Sequence, residues 1–200
     1  MIVLGIDPGS RFTGWGVVRV VGPRVEPVAH GVIAGGAGDL ASRLVVLGRG
    51  LTAVLDEHAP ALVGVEQAFH AKNVRSTLML GHVRGLVLWL AAGRGIAIAE
   101  YAPRAVKMAV TGNGAASKPQ VAAMVQRLLS LPVAPAADAA DALAVALCGI
   151  RRHAGVTARA AVVAGSAAAG AGARPARVAR SVGGDVIDMS RAFARVRRSR

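Results

Sequence analysis

Four acidic residues stand where chemistry could be done. Asp7 and Glu66 each end a short apolar run of strand character, Gly5-Ile6-Asp7 and Gly64-Val65-Glu66. Ligand sites in α/β sheets lie beyond the carboxyl ends of strands, so both acids occupy a suitable place. Asp138 and Asp141 lie three apart in Ala137-Asp138-Ala139-Ala140-Asp141-Ala142. That spacing puts both on one face of a helix, one turn apart, among small side chains. Taken singly, each has a plainer reading: Asp7 is a turn former before Pro8-Gly9, Glu66 a solvated strand end, Asp138 an N-cap after Pro135. Taken together, four converging carboxylates repel one another and require a counter-charge. An all-oxygen donor set suits Mg2+ or Mn2+. Two such ions about 3.5–4 Å apart would clamp the attacking and leaving oxygens of a phosphodiester.

The rest of the composition fits that chemistry. Net charge is +13 over 200 residues, which points to a polyanionic partner such as nucleic acid or a membrane surface. A carboxylate-only site in so basic a chain points to a metal-dependent nuclease, without naming the substrate. The single cysteine, Cys148, excludes an internal disulfide and a cysteine-rich zinc site, and the five histidines show no metal-ligand spacing. No run of about 18 apolar residues reads as membrane-spanning, and no leader pattern opens the chain. A reducing cytoplasm is the expected compartment. Lysine is nearly absent: Lys72, Lys107 and Lys118 stand out in an arginine-rich chain as candidates for function.

These residues need elements to position them. Strands are expected at 2–6, 14–20, 25–33, 62–65 and 96–100 from their apolar, β-branched character and the turn residues between them. Helices are expected at 40–57, 73–92, 103–110, 118–130 and 138–152. The order is three strands, then helix–strand–helix–strand, then helices, which makes an α/β fold with a mixed sheet. Trp15, Trp89 and Cys148 read as core. Gly81 and Gly85, four apart inside a helix, imply close approach of another backbone, within the fold or across a dimer. Helix 73–92 is apolar over more than one face (Leu78, Leu80, Val83, Leu86, Leu90), which favours a dimer contact. After Gly155 the pattern dissolves, with nine arginines against Asp185 and Asp188. That composition reads as a flexible basic tail.

Over residues 1–150 the chain resembles the RuvC-type Holliday-junction resolvases of the ribonuclease-H-like superfamily. The carriers are Gly5-Ile6-Asp7-Pro8-Gly9, Thr13-Gly14-Trp15-Gly16, Val65-Glu66-Gln67-Ala68-Phe69, Lys72-Asn73, Leu80-Gly81 and Arg84-Gly85. They continue through Tyr101-Ala102-Pro103, Val106-Lys107, Thr111-Gly112, Lys118 with Gln120-Val121, and Asp138-Ala139-Ala140-Asp141-Ala142-Leu143-Ala144. The resemblance implies a mixed five-stranded sheet flanked by helices over residues 1–154, with the Ala/Gly/Arg-rich segment 155–200 outside it. It also implies a bacterial crossover junction endodeoxyribonuclease of recombination and repair, a homodimer acting on four-way DNA junctions near the nucleoid. Its partners would be a branch-migration complex of the RuvA and RuvB type. Asp7, Glu66, Asp138 and Asp141 would bind two Mg2+ per site. Phe69 would stack on or wedge between bases at the junction, where stacking contributes about 1–3 kcal/mol. Lys72, Asn73, Lys107 and Lys118 would meet DNA, the last two near the cut. The chain departs from the family in two places: Ser117 replaces an acid before the second lysine, and Gly149 stands where a histidine is common.

Two other readings stay open on the residues. One is a related ribonuclease-H-like nuclease acting on RNA or simple DNA structures. The other is a junction-binding protein without activity, against which the four intact acids argue. An actin-like ATPase would need further phosphate loops. Gly35-Gly36-Ala37-Gly38 lacks the Lys-Ser/Thr that such a loop requires.

Overall fold

In the computed structural model two of the acids end strands of one five-stranded sheet and the other two lie on a helix packed against it. The structure describes residues 1–9, 11–67 and 74–166, with side chains except at 74–76 and beyond 152. The chain divides into two units, Met1–Val163 and Ala164–Arg200, and the description below concerns the first. Its elements are β1 (Ile2–Asp7), β2 (Phe12–Val21), β3 (Arg24–Ala34), α1 (Leu40–His58), β4 (Leu62–Glu66), α2 (Val74–Ala92), β5 (Ala97–Tyr101), α3 (Pro103–Thr111), α4 (Lys118–Leu128) and α5 (Ala137–Ser166). The strands run in the order β3-β2-β1-β4-β5. The first three are antiparallel to their neighbours, and β4 and β5 continue the sheet in parallel with β1. This is the mixed sheet that the order of elements predicts.

Local chemistry sets the element ends. The side chain of Asp39 accepts from the Ser42 amide at 2.8 Å and caps α1, while Ala59, in the left-handed region, and Pro60 close it. Pro103 opens α3 and Gly112 ends it at φ 74°. Ser117 and Gln120 cap each other at the start of α4. Ser117 is therefore the cap of that helix. Pro27 lacks an amide hydrogen, and it sits on the edge strand β3 opposite Val18, beside the register shift between Val17 and Val18.

Alternation along the strands sorts side chains onto two faces. Val3, Val18, Leu62 and Tyr101 face α3, α4 and α5, with Val106, Val121, Val125 and Leu143. Leu4, Ile6, Val17, Val63 and Val65 face α1 and α2, with Leu51, Leu55, Val87 and Leu90. Glycine at the intervening positions of the first face lets α5 lie directly on the strands. A Cβ on Gly5 would stand 2.1 Å from the Ala142 carbonyl, and one on Gly14 would stand 1.9 Å from that of Asp138. The small residues of α5 (Ala139, Ala142, Ala146) complete this close contact.

Three expectations need correction. Trp89 is 66% exposed rather than core. Of the apolar residues on α2, Val83 and Leu90 are buried inside the fold and so leave no surface for a partner. The last helix does not stop near residue 152 but continues past Gly155 to Ser166. One glycine costs a helix only about 1 kcal/mol, and the alanines around it have the highest helix propensity. Residues beyond 166, and with them the expected tail, lie outside the described part of the chain.

Candidate active site

Asp7 and Glu66 end adjacent parallel strands on the face covered by α5. In β1 that face carries Val3 and Gly5, and in β4 it carries Leu62 and Gly64, so the next residue of each parity is the acid. The turn after Asp7 is held by Thr13, a fully buried residue whose Oγ1 donates to the Gly9 carbonyl at 2.9 Å. The first turns of α5 lie on β2 at Gly14, which brings Asp138 and Asp141 to the same end of the sheet.

The electrostatics tie the two strand-end acids to their acidic neighbours. Burial pushes the Asp7 carboxyl up to about 8, with Glu66, Asp141 and Asp138 adding to the shift and Lys118 opposing it. Burial, then Asp141, likewise raises Glu66, while Lys118, a hydrogen bond with Asp7 and the charge of Lys107 pull it back. Lys118 Nζ donates to Asp141 Oδ2 at 2.7 Å. That bond, helped by the charges of Asp7 and Glu66, raises the lysine's pKa. The side chain of Lys118 is 77% exposed, whereas that of Asp141 is only 20% exposed. The ammonium therefore reaches solvent over a recessed acidic patch. Among the described residues, no three His, Cys, Asp or Glu side chains are drawn tightly enough to enclose an ion as they stand. Their chemistry nonetheless fits one: four oxygen donors, two of them desolvated and raised by mutual repulsion, are what a hard divalent cation relieves.

The expected site residues thus divide into three groups. Asp7, Glu66, Asp138 and Asp141 come together, with Lys118 bound to one of them and Lys107 near enough to act on Glu66. Phe69, Lys72 and Asn73 lie outside the described residues. A third group carries no expectation from the sequence. Arg84 Nε donates to Glu100 Oε1 at 3.0 Å, and its Nη2 donates to Oε2. Gln67 Nε2 donates to the same Oε2 at 3.4 Å. Glu100 is held below the usual carboxylate range, first by its hydrogen bond from Arg84. The signal was present: a glutamate at the end of the apolar strand Ile96-Ala97-Ile98-Ala99 needs a partner.

Comparison with known proteins decides the family. The family model described as crossover junction endodeoxyribonuclease RuvC matches residues 3–149. This chain belongs to that family. Among RuvC proteins, the crossover junction endodeoxyribonuclease of Pseudomonas putida is 48% identical over 147 residues, covering 74% of this chain and 84% of that one. That of a Caulobacter species is 51% identical over 146 residues, covering 72% and 86%. The Thermus thermophilus RuvC structure matches with a TM-score of 0.71 at 33% identity, over 78% of this chain and 97% of that one. T. thermophilus RuvC in complex with Holliday junction substrate matches at 0.67 and 31% identity, over 74% and 91%. RuvC nucleases are metal-dependent, and this chain is an enzyme of that class.

Proposed function

We propose that this protein resolves Holliday junctions in recombination and repair by paired incision of two opposed strands. One observation carries the reading: in a RuvC family member, two strand-end acids and two helix acids meet at one end of the sheet, where burial and the neighbouring acids raise Asp7 and Glu66. Asp7, Glu66, Asp138 and Asp141 would hold two Mg2+, with Mn2+ a suitable substitute. Bound there, the ions supply Lewis-acid activation of the phosphate and a nucleophilic water at neutral pH. The chain's own residues do the rest. α5 and the β1–β2 turn fix the acids from both sides. Lys118, at the first turn of α4, offers an exposed ammonium beside backbone amides that favour a phosphate. Lys107 adds positive charge near Glu66. Phe69, Lys72 and Asn73 follow Glu66 in the chain and would meet the junction beyond it.

Paired incision needs two sites, hence a homodimer. On α2, Leu78, Gly81, Gly85 and Trp89 fall on one stripe. Leu78 and Trp89 are 60% and 66% exposed, and a Cβ on either glycine would touch nothing within 4 Å. Among the described residues neither glycine serves packing within the chain, so the stripe fits close approach of a second copy. A branch-migration complex of the RuvA and RuvB type would deliver the junction. The bacterial relatives favour work at the nucleoid in the cytoplasm, and among the described residues no helix is long and apolar enough to cross a membrane. The arginines after residue 166 would add phosphate contacts without sequence preference.

The discriminating experiment compares a synthetic four-way junction with an RNA hairpin in Mg2+. Symmetric cuts in two opposed strands of the junction, with the hairpin left whole, are the expected result. Faster cutting of the hairpin would hand the site to the alternative nuclease reading.

A further inference from the structure

Glu66 is gripped from the face of the sheet that it does not point to. Its chain neighbours Val65 and Gln67 have the opposite parity and face α2. There Gln67 is held twice, by its amide donating to the Tyr101 carbonyl at 2.8 Å and by its side chain on Glu100. Glu100 in turn sits beside Val65 in the β4–β5 register and receives the two-pronged guanidinium of Arg84 from α2. A guanidinium–carboxylate fork fixes direction as well as distance. The group is only part-buried, with side-chain exposures of 36% for Arg84 and 23% for Glu100.

We infer that Arg84, Glu100 and Gln67 form a clamp that positions Glu66, holding the end of β4 so that its carboxylate stays aimed at the other acids. The inference rests on the acids being the cleavage site. Arg84 and Glu100 are positioning residues: they act through Gln67 and the β4 backbone rather than on DNA. Residues that orient metal-holding side chains affect metal affinity or activity by about 10–100-fold.

The test uses the full chain with Arg84→Lys, Glu100→Gln and the swapped pair Arg84→Glu with Glu100→Arg. Each is assayed over junction concentrations up to saturation, well below its thermal transition. Mn2+ affinity is read in parallel by paramagnetic resonance titration without DNA. The single variants should lose about tenfold or more in kcat and in Mn2+ affinity, with KM for junction within about twofold of the parent. The swapped pair restores a charged fork and should regain part of both. Unchanged kcat and Mn2+ affinity, even with a lowered melting temperature, would reduce the clamp to a structural ion pair and overturn the inference. A rise in KM matching the loss would place these residues on DNA and overturn it equally. Failure of the parent protein to cut a junction would count against the proposed function instead. In that case the Mn2+ titration still decides whether the clamp sets the acidic site.

Discussion

Asp7 bears the heaviest electrostatic load of the site, and this makes the site's state readable through stability. An acid whose folded pKa is raised binds its proton more tightly folded than unfolded. Its stabilising contribution is therefore full below the unfolded value of 3.8 and is lost as pH climbs towards about 8. With no divalent ion added, the thermal midpoint should fall between about pH 4 and pH 9, and Asp7→Asn should flatten that slope. Divalent ions bind the charged acids, so Mg2+ should raise the midpoint more at the alkaline end than at the acid end. Scanning calorimetry across pH checks both. A parent protein with no such slope would mean that Asp7 ionises freely. The four acids were legible in the sequence because strand-like runs ended in them and a helix repeat paired the other two. Glu100's need of a partner was legible too, but that the partner is Arg84 was not, since the fork forms only when α2 is laid on β5.

At the scale of elements, the site depends on how closely α5 lies on the sheet. Gly14 faces the Asp138 carbonyl, so even a methyl group there must lift the helix that carries two of the acids. Gly14→Ala should cost about 1–3 kcal/mol of stability and lower cleavage further than the unfolded fraction explains. Gly22, at φ 58° in open space, should accept asparagine with little effect, which makes it the control. Chemical denaturation with a cleavage assay reads both. A second prediction concerns Tyr101, whose buried hydroxyl has no hydrogen-bond partner among the described residues. A Cβ on its neighbour Gly149 would lie 3.5 Å from that oxygen. An unpaired buried polar group costs about 1–3 kcal/mol, so Tyr101→Phe should leave the protein as stable or more so. A clear loss of stability would mean the hydroxyl is satisfied after all. Strand and helix positions were readable from periodicity to within a residue or two. The length of α5 was not, because Gly155 and the featureless alanines beyond it look alike in a helix and in a linker.

For the whole molecule, the question is how two sites come to one junction. Trp89 shows why the sequence alone misled: on a helix with apolar residues on every side, it reads as core. Only the packed fold shows which face is left over. Gly81→Glu removes a helix-weakening glycine and meets no neighbour among the described residues, so the fold should keep its stability or gain about 0.5–1 kcal/mol. The proposed dimer should nevertheless dissociate, and light scattering should show monomers that nick strands singly. A variant that stays dimeric would move the interface elsewhere. Deleting residues 167–200 should weaken junction affinity and flatten its salt dependence, with turnover of bound junction preserved.

The most direct test of the central claim is Asp7→Asn on a synthetic four-way junction with Mg2+, with binding followed by mobility shift and cutting by strand-resolved electrophoresis. The parent should bind and cut two opposed strands symmetrically. The variant should bind as well or better, because a negative charge has been removed from the DNA-facing surface, and should leave every strand intact. Substantial cutting by the variant would contradict the acidic site as the centre of catalysis.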